Sequence, residues 1–321
     1  MKRFAVPVLL ALTTAAASCG DDDPIEPTAT PCEDAADIET CRVDQMSCVL
    51  SDGSPSCVAC TSGQHVTDAG VCAPIPGEPL SHEFAEFTTQ PGEEVLGLCQ
   101  SWTLNNDTDL WVNAVELEQN EMSHHSNWTF VPEGRFDGPD GVWDCDERDY
   151  DQLSAAVVGG VLYAQSTQAE REVQKFPVGA AVRIPARSRI IGDVHLLNVS
   201  QQAVTGSVKL TLYTIPEADV SVKLAPFHLT YDGLEIPPLA TSRFHGSCEL
   251  ANEVLEATGE PLDMKLYYAL PHTHKLGTRF FLQAVGGPRD GEYLIDVHGF
   301  NGEARGRFYD PPVDLTGITH L

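Results

Sequence analysis

The stretch SVKLTLYTI (207–215) carries the pattern that decides the fold. Apolar residues alternate through it with Lys, Thr and Tyr, and a period of two is typical of a β-strand with one buried face. The stretches AAVRIPARSRI (180–190) and RIIGDVHLLNVS (189–200) have the same texture. Helical periodicity is confined to CELANEVLEATG (248–259). The pattern therefore predicts an all-β fold.

The short strands run from about residue 81 onward, with a break at IPEAD (215–219). We expect two tandem antiparallel β-sandwich domains of jelly-roll-like type, over 81–216 and 217–321, the second of them incomplete. Over the whole chain, 19 Lys and Arg stand against 47 Asp and Glu, a formal net charge of −28. Binding to a phosphate backbone needs a basic patch, so this composition excludes nucleic acid as a partner.

The N-terminus is typical of an export signal. A basic start and an apolar core at 4–17, too short to span a bilayer, predict a signal peptide over 1–19. The small residues before Cys19 resemble a bacterial lipoprotein processing site, although Ala16 stands where Leu is usual. We expect lipidation of Cys19 and an exported protein, anchored on the periplasmic or outer cell surface and touching membrane only through that lipid. An ordinary signal peptide cut nearby is the alternative.

Ten cysteines fit an oxidising compartment. An acidic tether (20–31) leads to a six-cysteine module (32–72) with few large apolar residues, whose disulfides must replace a core. A Pro-rich linker (73–80) follows. Two later cysteines, Cys99 and Cys145, can pair with each other, which leaves Cys248 over.

Two stretches contain paired histidines, EMSHHSNWTF (121–130) and YALPHTHKLGTRFF (268–281). The alternation before the second pair puts His272 and His274 on one face of a strand, about 6–7 Å apart, unless Pro271 breaks the strand. The adjacent His124 and His125 face opposite ways on a regular strand, so they share a metal only at a strand end or a bulge. The alternative for both pairs is a set of hydrogen-bonded core histidines.

Three motifs taken together, MSHHS (122–126), IIGDVHLLN (190–198) and PHTHKLG (271–277), resemble those of the copper type II ascorbate-dependent monooxygenases. This family includes peptidylglycine α-hydroxylating monooxygenase and dopamine β-monooxygenase. The resemblance covers about 81–321 and implies two tandem antiparallel β domains, each holding one copper ion.

The resemblance also implies the ligands and their roles. The first copper, which supplies an electron, is expected on His124, His125 and His195. The second, at which O2 and a substrate C–H bond react, is expected on His272 and His274, with a Met further along the chain. Imidazole and thioether ligands suit an ion that cycles between Cu(I) and Cu(II). Ascorbate or a similar molecule is the implied reductant.

Two features depart from the family. No Met follows His274, and the chain ends 47 residues later on DPPVDLTGITHL, where no closing strand is predicted. Together with the odd Cys248, this predicts a truncated chain with an incomplete second copper site. In addition, Leu270 stands where peptidylglycine-type members carry an Arg for a carboxylate. Peptide amidation is therefore unsupported.

We predict a copper-dependent monooxygenase that hydroxylates a C–H bond of an unknown small organic substrate with O2 and a reductant such as ascorbate. One alternative is a surface lipoprotein that binds copper without turnover, as a sink or carrier. Another is a disulfide-rich adhesion or scaffold protein with vestigial histidines.

Overall fold

The computed structural model describes residues 30–165, 169–229, 233–273, 276–299 and 306–321. The predicted signal peptide with Cys19, nearly all of the tether, and His274 lie outside these ranges. Within them the chain is mostly β-strand, as the sequence predicts.

The six-cysteine module consists of short strands and one helix, held by three disulfides. Its elements are β1 (Thr30–Pro31), α1 (Ala35–Arg42), β2 (Met46–Ser51), β3 (Ser54–Ala59), β4 (Gln64–Val66) and β5 (Cys72–Pro74). Asp34 caps α1, because its carboxylate accepts hydrogen bonds from the first turn. The predicted disulfide framework is confirmed, and its bonds are Cys32–Cys48, Cys41–Cys57 and Cys60–Cys72.

A β-sandwich follows the module. Its elements are β6 (Glu78–Glu83), β7 (Phe87–Thr89), β8 (Glu94–Thr103), β9 (Leu110–Glu118), β10 (Ser123–Pro132), β11 (Gly141–Asp144), a 3-10 helix (Cys145–Arg148), α2 (Gln152–Val158), β12 (Gly160–Ala164), β13 (Arg171–Lys175), β14 (Ala180–Ile184), β15 (Ser188–Leu197), β16 (Val204–Gly206), β17 (Lys209–Thr214), a second 3-10 helix (Glu217–Asp219) and β18 (Val222–Leu224). One sheet has the order β11-β8-β15-β10-β12. The other has the order β18-β14-β9-β17-β6, with β13 also paired to β9.

Apolar side chains from both sheets fill the space between them. The predicted alternation in 207–215 is confirmed, because Val208, Leu210 and Leu212 are all buried in this core. Trp128 on β10 is fully buried in the same cluster, and its indole N–H donates to Ser126 Oγ at 2.9 Å. A buried indole N–H needs such a partner.

Two predicted domain boundaries fall inside this sandwich. The expected linker (73–80) contains the start of β6, which pairs with β17, and Ile75 is buried against Tyr213. Its prolines indicated a spacer, but proline is also compatible with an edge strand such as β6. At the other boundary, β18 pairs in parallel with β14, so the first domain continues beyond residue 216.

The module packs against the outer face of the second sheet. At the centre of this contact Glu116, 1% exposed, accepts hydrogen bonds from Gly63 N–H (3.1 Å), Arg171 Nε (2.7 Å) and the Tyr213 hydroxyl (2.6 Å). Burial and then the bond to Glu116 raise the pKa of the Tyr213 hydroxyl. The module is thus fixed to the sandwich by a shared, buried carboxylate.

A second contact joins the module to the outer side of β13. The Gln45 side chain donates from Nε2 to the Val173 carbonyl at 3.0 Å. Its Oε1 accepts from the Val173 N–H at 2.8 Å. One side-chain amide therefore satisfies both backbone groups that Val173 turns away from β9.

The C-terminal region has its own small core. Its elements are α3 (Leu250–Thr258), β19 (Lys265–Ala269), β20 (Arg279–Gln283), a 3-10 helix (Gly287–Arg289), β21 (Tyr293–His298) and β22 (Arg307–Asp314). Among its described residues the strands form two two-stranded sheets, β19-β22 and β20-β21, rather than a full sandwich. The helix expected within 248–259 is confirmed. The expectation of no strand in the final segment is wrong, because β22 extends through Asp314 and pairs with β19.

The chain bears the marks of an oxidising compartment. Four disulfides among the described residues indicate an extracellular or periplasmic protein. Cys248 forms no disulfide with any described residue. No helix in the described ranges is long and apolar enough to cross a membrane.

Candidate metal centre

The adjacent histidines lie at the start of β10, where its pairing with β15 is irregular. Ser123 pairs with Leu196 and His125 pairs with His195, so His124 is an extra residue between two register positions. A bulge of this kind changes the direction of a side chain that regular pleating would turn away. The structure thus supplies the strand end and bulge that two neighbouring histidines need in order to converge.

His195 lies on β15 beside a second irregularity. On the β8 side, Val194 pairs with Leu98 and Leu196 pairs with Val95, so β8 carries an extra residue opposite His195. Gly97 lies in this segment with φ +69°, a left-handed conformation that favours glycine. Both neighbours of β15 are therefore bulged where His195 projects.

The three imidazoles meet, as the resemblance implies. One nitrogen from each of His124, His125 and His195 lies within 4.8 Å of the other two. His195 Nδ1 and His125 Nε2 lie 3.0 Å apart. Ring centroids are 4.8 Å apart for His124–His195 and His125–His195, and 5.2 Å for His124–His125. All three side chains are partly exposed, so small molecules can reach them.

This donor set fits a transition-metal ion. Metal–imidazole bonds of about 2.0–2.1 Å limit two donors on one ion to a separation of about 4.2 Å. The 3.0 Å approach lies inside that limit, and the 4.8 Å bound exceeds it by about 0.6 Å. Small rotations of the three imidazole side chains would bring their nitrogens within about 4.2 Å of one another. Imidazole suits copper, zinc, iron and nickel, so the ligands alone do not select the metal.

Glu94 on β8 orients His195, and no motif in the sequence indicated this residue. Its Oε1 lies 2.9 Å from His195 Nε2. A carboxylate only accepts hydrogen bonds, so His195 Nε2 carries the hydrogen and Nδ1 of the neutral ring presents its lone pair to His125. Carboxylate–histidine pairs of this kind fix the ring and its tautomer at metal sites.

Replacing Glu94 by Ala is expected to weaken metal binding about tenfold, because His195 loses the partner that holds its Nδ1 toward the other rings. Glu94→Gln keeps an acceptor oxygen and should lose less. Copper affinity, measured by competition with a chelator, checks both variants. Equal affinity of wild type and Glu94→Ala would contradict the orienting role.

A polar network continues from the cluster along both strands. Gln152 at the start of α2 donates to Asp193 Oδ2 at 2.6 Å and accepts from Asn127 Nδ2 at 3.1 Å. Burial raises the pKa of the Asp193 carboxyl, and the bond from Gln152 and the nearby His195 oppose that rise. Asp193 and Asn127 lie two residues from His195 and His125, so the period of two could have shown that they share a face with the histidines.

His272 was predicted to lie on a strand, and this is wrong. β19 ends at Ala269, and His272 lies in the irregular segment after it. Pro271 has no N–H to continue a ladder, which accounts for the end of the alternation. His272 is exposed, and its ring centroid lies 5.0 Å from that of His125. It therefore lies beside the first cluster; its expected partner His274 is outside the described residues.

The predicted pairing of Cys99 with Cys145 is confirmed. This disulfide joins β8 to the 3-10 helix after β11 and is buried against Trp143, Tyr150 and Ile191. It therefore supports the strand that carries Glu94.

Comparisons with known proteins add no functional evidence. No family model matches the chain, and no curated protein matches it. A chain from the structure of deformed wing virus, a honeybee pathogen, matches with 10% identity over 92% of this chain and 77% of that chain. Its TM-score is 0.22, a value at which the likeness carries no argument about this protein.

Proposed function

We propose that this chain is an exported copper protein, similar to the copper type II ascorbate-dependent monooxygenases, that hydroxylates a C–H bond of a small organic substrate. The observation that carries the proposal is the convergence of His124, His125 and His195. These histidines belong to two of the three motifs on which the resemblance rests. Anchoring through a lipid on Cys19 belongs to the same proposal.

The chain's own residues would hold and orient the cofactor. Copper at this site supplies one-electron redox chemistry, with O2 as the oxidant and ascorbate or a similar molecule as the reductant. His124, His125 and His195 bind the first ion, and Glu94 fixes the direction of His195. For a second ion, the resemblance implies His272 and His274 as ligands. Partial exposure of the first cluster gives a small reductant access to it.

One observation favours copper binding without turnover, as in a sink or carrier. The described methionines are all packed into hydrophobic clusters: Met46 in the cysteine module, Met122 in the sandwich and Met264 in the C-terminal region. Met122 is 1% exposed, and its sulfur accepts a hydrogen bond from Thr89 Oγ1 at 3.2 Å. Among the described residues, no thioether is therefore offered beside His272.

Copper content and oxygen consumption separate the two functions. Purified full-length protein is reconstituted with copper, desalted and analysed for metal, and ascorbate-dependent O2 uptake is then followed with panels of small organic substrates. At least one bound copper with substrate-dependent uptake supports the monooxygenase. Bound copper without uptake for any substrate supports the sink or carrier. Less than one equivalent of bound copper would contradict both proposed functions.

A further inference from the structure

His272 meets one ring of the cluster, His125, with a geometry similar to that among the three cluster rings. Its ring is 5.0 Å from His125 at an interplanar angle of 62°. Within the cluster the ring distances run from 4.8 to 5.2 Å and the angles from 53° to 89°. A fourth imidazole thus lies at this spacing from His125. It stands outside the set of three nitrogens that already converge, so a rotation of its exposed ring is needed to bring it to the ion.

The segment that carries His272 is anchored on its N-terminal side. Tyr268, four residues earlier, packs on Phe308 at 4.4 Å and on Phe176 of the sandwich at 6.4 Å between ring centroids. Burial raises the pKa of the Tyr268 hydroxyl well above its usual value. Pro271 is buried, whereas the ring of His272 is exposed. The backbone is therefore held near the cluster while core packing does not oppose a small ring rotation.

Three protein ligands leave a coordination position open on a four-coordinate ion. We propose that His272 fills this position and is a fourth ligand of the ion held by His124, His125 and His195. This inference rests on the proposed copper site, but it assigns His272 to the first ion rather than to a separate second one. The bound metal then joins the sandwich to the C-terminal region.

The proposal predicts two effects of His272. Affinity for copper should fall on the order of tenfold in both His272→Ala and His272→Phe, because each lacks the donor nitrogen. Copper should also slow backbone hydrogen exchange across 265–273 in wild type and not in His272→Phe, since only a ligand couples that segment to the ion. Phe keeps a ring for packing, so the pair of variants separates coordination from packing.

The experiment uses the full chain with its disulfides formed. Cu(I) is titrated anaerobically against a chromophoric Cu(I) chelator, and hydrogen exchange is recorded with and without copper. His298→Ala is the control, because His298 is exposed on β21 of the same region. Near-ultraviolet circular dichroism verifies that each variant is folded.

The outcomes separate failure of the fourth-ligand proposal from failure of the proposed copper site. Loss of affinity in both variants, with copper-dependent protection in wild type alone, supports the fourth ligand. Wild-type affinity in His272→Phe overturns it and leaves the three-histidine site standing, whether or not His272→Ala is weakened. Absence of copper binding in wild type overturns the proposed function as well.

Discussion

Replacing His195 by Ala is expected to lower copper affinity by about 100-fold or more, equivalent to about 2.8 kcal/mol. His195 supplies the nitrogen that lies 3.0 Å from His125 Nε2, and its other ring nitrogen is held by the Glu94 carboxylate. Removing the ring takes away one ligand and leaves Glu94 without its contact to the site. The loss should exceed that of Glu94→Ala, in which the ligand itself remains.

Chelator competition with Cu(I), together with the electron paramagnetic resonance spectrum of the Cu(II) form, measures this effect. The spectrum should change because the nitrogen donors around the ion become fewer. His228→Ala is a matched control, since His228 is exposed and lies outside every strand. If His195→Ala and His228→Ala bind copper equally, the three histidines do not form the site.

Removing the Cys99–Cys145 disulfide by a double substitution to Ala is expected to lower the free energy of unfolding by about 4 kcal/mol. The two cysteines are 46 residues apart, and closing so long a loop restricts the unfolded chain strongly. Both are also buried in the cluster with Trp143 and Tyr150, so Ala leaves space in a packed region. This is the largest stability effect we expect from any of the four disulfides.

Urea denaturation followed by tryptophan fluorescence measures the loss. The matched control is the double Ala variant of Cys60 and Cys72, whose separation is 12 residues and whose expected loss is about 3 kcal/mol. A loss for Cys99–Cys145 smaller than that of the control would contradict the loop argument. Copper affinity of the folded variant should stay near that of wild type, because a disulfide acts mainly on the unfolded state.

Local patterns in the sequence predicted the strands, and the family resemblance implied the first histidine cluster. The alternation in 207–215 gave the buried face of β17, and the adjacent His124 and His125 required a strand end or bulge, which β10 provides. Gly97 was a signal not used, because glycine inside a strand often marks a bulge. The alternation and the need for a bulge depend on neighbours within a few residues, whereas His195 lies 70 residues from His125.

Contacts across the chain were not predictable in the same way. Glu94 reaches His195 over 101 residues only because β8 and β15 pair with a register shift, which neither strand shows by itself. The position of His272 beside His125 depends on how the C-terminal region packs on Phe176. The expected linker contains the start of β6, and this could not be predicted because the strand that pairs with it, β17, lies far along the chain.

The Gln45 amide has a consequence for how copies of this protein behave at high concentration. An open strand edge offers unpaired N–H and C=O groups to a strand of another molecule, and this is a route to aggregation. On β13 the amide of Gln45 already occupies both such groups of Val173. The cysteine module therefore covers part of the open edge of β13. A chain without the module would leave the Val173 N–H and C=O free to pair with a strand of another molecule.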